Sequence, residues 1–124
     1  MSNRILAPIS IGELLDKISI LEIKAANATD QDKLKNITTE LNELKALQPE
    51  LSSESHNLYV QLKIINQELW DIEDFKRNCE KKQDFGPAFI RAARNVYIKN
   101  DIRARIKKDI NVDMGSHIVE EKIY

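Results

Sequence analysis

The sequence predicts an all-α protein in which an antiparallel helical hairpin and two long helices form a bundle. Apolar residues recur at steps of three and four through four long segments, which is the spacing of one helix face. The chain's three glycines and three prolines fall near the ends of these segments. With 124 residues, the chain has about the length of one domain, so we expect a single helical domain over residues 1–124.

The first two helices are predicted from their end signals. Ser10 and Glu13 have the spacing of a capping box, in which the serine oxygen accepts a backbone N–H and the glutamate reaches back, so the first helix should begin there. Asp30 or Thr29 can cap the second helix, and Pro49 closes it. Because the connection between them has only a few residues, these helices should form the antiparallel hairpin.

The third helix is predicted from about Ser55 to Lys82, with a narrow apolar seam. At ~1.5 Å per residue it would reach about 40 Å, more than the roughly 30 Å width of a small domain. Its far end must therefore bend, project or meet another subunit. This length favours a homodimer, and a kinked helix in a monomer is the alternative.

The fourth helix is predicted from Pro87, which suits a first helical turn, to about Asn111. Its apolar face shifts near Lys99–Asp101. No glycine or proline interrupts the segment there, which favours one continuous helix, whereas a separate short helix capped by Asp101 is the alternative.

The two ends of the chain lack a helical pattern. Residues 1–9 are predicted to be an extended N-terminal segment, and residues 111–124 a non-helical C-terminal tail. The stretches Arg4–Ala7 and Ile118–Val119 are β-prone, which leaves open a short β-pair between the termini.

Composition excludes several classes of protein. The chain has 19 basic and 20 acidic side chains, and it carries no recognised nucleic-acid-reading motif, so nucleic-acid binding is not expected. The longest apolar runs are far shorter than the ~18 residues of a membrane span, so no membrane insertion is expected. With Cys79 as the one cysteine and no secretory signal pattern, the sequence predicts a reducing, cytoplasmic setting.

Two Glu-x-x-Asp pairs are candidate metal ligands: Glu13 with Asp16, and Glu68 with Asp71. This spacing puts both carboxylates on one face of a helix, where they can share Mg²⁺. All-α nucleotide pyrophosphohydrolases of the MazG type use such acidic motifs, and Gly12–Asp16 is similar to part of one. Lysine and serine at positions 17 and 19 depart from that motif. No cofactor is predicted, except Mg²⁺ if the chain is such a hydrolase.

Basic residues concentrate on the last helix. Arg91, Arg94, Arg103 and Arg105 are candidate anion-binding residues, because a guanidinium fork suits phosphate or carboxylate. The near-neutral net charge of −1 conceals a division: residues 1–75 carry seven basic and thirteen acidic side chains, and residues 76–110 carry eleven and four. A small anionic ligand or an acidic protein partner near the last helix is one interpretation. Ion pairs with the chain's own acidic helices are the other.

Five stretches together resemble an uncharacterised family of small bacterial and phage proteins, a domain of unknown function. These stretches are Gly12–Lys24, Glu68–Asp74, Ala93–Tyr97, Asn100–Ala104, and Gly115–Ser116 with Glu120–Lys122. The resemblance implies a single helical domain in the cytoplasm and names no ligand. Further site candidates within these stretches are Trp70, Asp74, Tyr97, Asn100 and Asp101. A polar network that docks the tail onto the helices is the competing explanation for such residues.

These observations favour a non-catalytic helical binding or assembly module that dimerises and carries a polar groove between the first, third and fourth helices. The alternative is a Mg²⁺-dependent hydrolase of a phosphorylated small molecule, in which the four carboxylates hold the metal and Arg94 or Arg103 holds the phosphate.

Overall fold

A computed structural model describes residues 3–124 of the chain. Four helices follow one another: α1 (Ile11–Asn27), α2 (Gln31–Lys45), α3 (Ser53–Lys82) and α4 (Pro87–Asp113). The described residues contain no strand. The predicted all-α fold is therefore confirmed. No helix in this part of the chain is both long and apolar enough to cross a membrane.

Local end signals account for where the helices begin. Ser10 Oγ accepts a hydrogen bond from the Glu13 N–H at 3.0 Å, as the capping box predicts. Glu13 does not complete the box, because its carboxylate lies 2.5 Å from Lys107 Nζ. The side chain of Asp30 accepts from the first turn of α2, and α4 begins with Pro87.

The long helices α3 and α4 form an antiparallel pair, joined by residues 83–86. Ser55 meets Asp113 at one end of the pair, and Glu68 meets Lys99 further along. Helix α1 packs against both long helices, whereas α2 packs on α1 and on no other helix. Arg4, just before α1, pairs with Glu43 near the end of α2, as an antiparallel α1–α2 hairpin requires.

The core lies where α1 crosses the α3–α4 pair. Leu15 of α1, Leu62 and Ile65 of α3, and Ile106 and Ile110 of α4 form one buried apolar cluster. These five side chains lie on the stripes that the three-four spacing predicts. The cluster occupies the start of α3 and the end of α4, so the connected ends of these helices extend beyond it.

Helix α4 is continuous through Asn100, which confirms the favoured interpretation of that segment. It ends at Asp113, so residues 111–113 are helical and their assignment to the non-helical tail is wrong. This last turn is held by contacts with distant residues, which the sequence pattern does not reveal. Asn111 is buried against α1, and Ser52 and Ser55 each donate to the Asp113 carboxylate at 2.5 Å, which holds the pKa of Asp113 below its usual value.

The open possibility of a terminal β-pair is not realised. Residues 3–9 and the tail from Ser116 have no regular structure, and residues 1–2 of the predicted extended segment lie outside the described part. Ile5 and Leu6 are 93% and 85% exposed, so they pack against no strand. The tail is instead held by side chains, since Ser116 Oγ accepts from the Ile11 N–H at 3.1 Å.

Candidate functional site

A buried carboxylate joins α1 to α4. Asp16 is 1% exposed, and Arg103 binds both of its oxygens: Nε lies 3.0 Å from Oδ1, and Nη2 donates to Oδ2. Lys107 Nζ is 3.5 Å from the same Oδ2. A two-point guanidinium–carboxylate contact fixes direction as well as distance, so it sets the register of α1 on α4.

Two further buried side chains complete this contact, Asn66 of α3 and Ser19 of α1. Asn66 Nδ2 donates to Asp16 Oδ1 at 2.8 Å and to Ser19 Oγ at 2.7 Å. Ser19 in turn donates its hydroxyl proton to the Asp16 backbone carbonyl at 2.8 Å. We call Asp16, Ser19, Asn66, Arg103 and Lys107 the Asp16 network. It ties α1, α3 and α4 together at one point.

The network keeps Asp16 ionised. Burial alone would raise the pKa of this carboxyl, but hydrogen bonds from Arg103 and Asn66, and the charges of Arg103 and Lys107, together hold it below its usual value. Removing one partner would leave an uncompensated charge in the interior, which costs about 3–5 kcal/mol in comparable buried pairs.

The N-terminus of α1 is capped by residues distant in sequence. The Gly12 N–H donates to Asn111 Oδ1 at 2.6 Å, and the neighbouring Ile11 N–H donates to Ser116 Oγ. Ser10 Oγ accepts from the Glu13 N–H and itself donates to the Glu120 carboxylate. Three backbone N–H groups in the first turn of α1, which have no acceptor within the helix, thus find partners. Two of these partners come from the end of α4 and the tail. These contacts form a network of the kind that the sequence left open as a means of docking the tail.

The four predicted metal ligands do not form one cluster. Glu13 and Asp16 converge on Lys107, whose ammonium lies 2.5 Å and 3.5 Å from their oxygens. Glu68 Oε2 lies 2.6 Å from Lys99 Nζ, in an ion pair whose angles do not fit a hydrogen bond. Asp71 accepts a hydrogen bond from the Gln67 side chain. Within residues 3–124 no three His, Cys, Asp or Glu side chains are placed to hold one metal ion.

The four predicted anion-binding arginines also separate. Arg103 and Arg105 line a cavity of about 590 Å³ between α4 and the tail, whereas Arg91 and Arg94 are exposed on α4 and do not line it. We call this space the basic cavity. Its five basic side chains are Arg103, Arg105, Lys107, Lys108 and Lys122.

Carboxylates of the described residues already contact basic side chains that form the wall of the basic cavity. Lys108 Nζ lies 3.2 Å and 3.0 Å from the two Glu121 oxygens, and Lys122 lies 3.6 Å from Asp101. Arg105 forms no ion pair with residues 3–124, so the wall retains one uncompensated guanidinium.

The remaining candidates lie in two places. Asn100 and Asp101 line the basic cavity. Trp70 and Asp74 line a second cavity, of about 410 Å³, which we call the Trp70 cavity. Tyr97 is 56% exposed and lines neither space.

The sequence pattern does not single out the two buried asparagines, Asn66 and Asn111. A lone asparagine within an apolar helix pattern is the available signal, since a polar side chain in such a place requires a partner. That signal does not say which partner it meets.

Comparisons with known proteins give the chain a family and no activity. The sequence profile of a family of unknown function, DUF6165, matches residues 5–124. No curated protein and no solved structure matches the chain. The predicted resemblance to a domain of unknown function is therefore confirmed, and the chain belongs to this family.

Proposed function

We propose that the chain is a non-catalytic binding module of the cytoplasm whose basic cavity takes a small anionic ligand, such as a phosphorylated metabolite. The observation that carries the proposal is Arg105, a guanidinium with no acidic partner among residues 3–124, on a wall that holds four more basic side chains. A planar guanidinium can donate two parallel hydrogen bonds to one phosphate or carboxylate.

Such a ligand would readily displace the carboxylates that already contact this wall. The Lys108–Glu121 pair is well exposed, with side chains 49% and 63% accessible. Exposed ion pairs of this kind contribute only about 0–1 kcal/mol, so a ligand that presents several anionic oxygens at once can displace Glu121. The tail carboxylate then occupies, in the free protein, the place of an anionic group of the ligand.

The positions of the acidic residues favour binding over hydrolysis. Lys107 stands between Glu13 and Asp16, where a shared cation would have to lie. Glu68, the first acid of the other pair, meets Lys99. Mg²⁺ binding would break the contacts that fix α1 on α4. The cost of breaking them opposes a metal-dependent mechanism.

Calorimetry with inorganic phosphate and pyrophosphate tests the proposal. We expect binding that weakens with added salt, and a loss of about tenfold or more in Arg105→Ala, the equivalent of one charged hydrogen bond. Arg91→Ala is the matched control, because Arg91 is an exposed arginine of the same helix outside the cavity, and it should bind like the parent chain. Equal losses in both variants, or no binding of either anion, would refute the proposal.

We also propose that two copies associate through the side of the α3–α4 pair that faces away from α1. Phe75 follows Asn66 by nine residues, and Ile98 precedes Lys107 by nine, which at about 100° per residue places each on the opposite side of its helix from an α1 contact. Phe75 and Ile98 are 42% and 39% exposed.

The charge pattern of α3 supports a second copy as the partner. Residues 68–74 contain four acids and no base, and residues 76–82 contain four bases and one acid. A two-fold axis near Phe75 would set each acidic stretch against the basic stretch of the other copy, as an isologous contact requires. Light scattering after gel filtration should show a dimer that Phe75→Glu converts to a monomer, with exposed Leu47→Glu as the control. A monomeric parent chain would refute this interface.

A further inference from the structure

The Trp70 cavity lies on the α1 side of α3 and is separate from the basic cavity, with Arg103 as their one shared residue. Ile20 and Ile23 of α1 and Leu69 and Trp70 of α3 give it an apolar lining. Its volume of about 410 Å³ falls within the ~300–1,000 Å³ range of small-molecule sites.

A largely buried asparagine with an open hydrogen-bond acceptor lines this cavity. Asn66 is 5% exposed, and its Nδ2 donates to Asp16 and Ser19. Its Oδ1 forms no hydrogen bond with residues 3–124 and is not enclosed by protein. Because this oxygen is accessible and has no donor within residues 3–124, it can accept a hydrogen bond from a ligand.

The orientation of the Asn66 amide follows from its neighbours. The ionised carboxylate of Asp16 can only accept hydrogen bonds, so it requires the nitrogen of Asn66. The hydroxyl proton of Ser19 is donated to the Asp16 carbonyl, so Ser19 Oγ also accepts from Asn66. Both neighbours fix Nδ2 toward the Asp16 network, which leaves Oδ1 as the atom of this side chain that can accept a hydrogen bond from a ligand.

The lining of the Trp70 cavity indicates the class of ligand. The half-buried indole of Trp70 provides a flat surface for an aromatic ring. The charges nearly balance, because Glu73 pairs with Lys76, Arg103 with Asp16, and the remaining Asp74 and Arg77 have opposite signs. A neutral ring is therefore preferred to an anion.

We infer that the Trp70 cavity binds a neutral one- or two-ring aromatic group that packs on Trp70 and donates an N–H or O–H to Asn66 Oδ1. This inference does not depend on the anion proposed for the basic cavity, because Arg105 and the lysines of that wall take no part in it.

Trp70 is the one tryptophan of the chain, so all tryptophan emission comes from a residue that lines this cavity. Benzimidazole is a suitable probe, and 1-methylbenzimidazole is a matched probe without the N–H donor. We expect benzimidazole to change the Trp70 emission with a Kd of about 1 mM, and the methylated probe to bind about five- to tenfold more weakly. An unchanged emission, or equal affinity for the two probes, would overturn the inference.

A filled cavity provides the complementary test. Ile20→Phe adds bulk inside the space, and Ile64→Phe makes the same change at a site 55% exposed outside it. The first variant should lose benzimidazole binding and the second should keep it, with circular dichroism confirming that both are folded. Binding retained in Ile20→Phe would place the probe elsewhere. Phosphate titration of the same variants tests the basic cavity separately.

Discussion

Alanine at position 12 would place a methyl group inside the contact between α1 and α4. A Cβ built on Gly12 lies 2.5 Å from the backbone oxygen of Lys107 and 2.9 Å from Asn111 Oδ1. Ordinary contact begins near 3.4 Å, so the two helices must separate by roughly 0.9 Å. The obstacle is a helix backbone, which cannot rotate away as a flexible side chain could.

The expected cost follows from three effects. Alanine is the better helix former by about 1 kcal/mol, which favours the substitution. Overpacking a tight contact costs about 1–3 kcal/mol, and losing the buried hydrogen bond from the Gly12 N–H to Asn111 costs about 1–3 kcal/mol more. We expect the free energy of unfolding to fall by about 3 kcal/mol, and Tm by about 10 °C for a chain of this size.

Urea unfolding followed by circular dichroism measures this loss. Gly86→Ala is the control, because the Cβ built there meets only the side-chain oxygen of Asp84, at 3.3 Å, and that side chain can move. The control should lie within about 0.5 kcal/mol of the parent chain. A Gly12→Ala chain as stable as the parent would show that α1 and α4 pack more loosely than these distances indicate, and would refute the expected loss of stability.

Two further predictions concern buried polar groups. Asp16→Asn should lower the free energy of unfolding by about 3 kcal/mol, because it leaves Arg103 without its carboxylate. Folding lowers the pKa of Asp16, so the stability that this carboxylate contributes is present above its unfolded pKa near 4 and is lost as the pH falls. The free energy of unfolding, measured with urea between pH 6 and 3, should therefore decrease more steeply in the parent than in Asp16→Asn. Parallel curves would contradict this. Burial and the Glu22 carboxylate raise the pKa of Tyr59 above its ordinary value of 10.0. Phenolate absorbance at 295 nm should therefore show one fewer tyrosine titrating near pH 10 in the folded parent than in the unfolded chain, a deficit that Tyr59→Phe removes; full titration in the folded parent would disprove the Tyr59–Glu22 bond.

The parts of the fold that the sequence predicts are those set by neighbours along the chain. Ser10, Asp30 and Pro87 start helices because each acts on amides or angles within its own first turn. The apolar seams likewise follow from the helix period alone. The predicted end of α4 is wrong because Asn111 and Asp113 are held by residues of α1 and α3, which no local pattern identifies.

In the candidate site, the pairing of charges between helices is what the sequence does not predict. Helix spacing predicts Asp16 as a metal ligand, and the guanidinium of Arg103 predicts it as an anion-binding residue, so the two predictions rest on separate grounds and opposite charges. In the folded chain they bind each other. Charge spacing identifies the face of one helix, but the pairing of two faces depends on the register between α1 and α4. That register is set in part by Gly12, where the lack of a Cβ allows close approach.

Because Arg103 lines both cavities, the contact that docks α1 also fixes a wall of each. Its guanidinium is held on one side by Asp16, and Nη1 donates to Asn100 at 3.3 Å. Ligand binding at either cavity should therefore stabilise the docked position of α1, by mass action on the folded state. Loosening α1 through Gly12→Ala should weaken phosphate and benzimidazole binding together, whereas Arg105→Ala should weaken phosphate alone. If Gly12→Ala instead left both affinities unchanged, the cavity walls would not depend on the docking of α1.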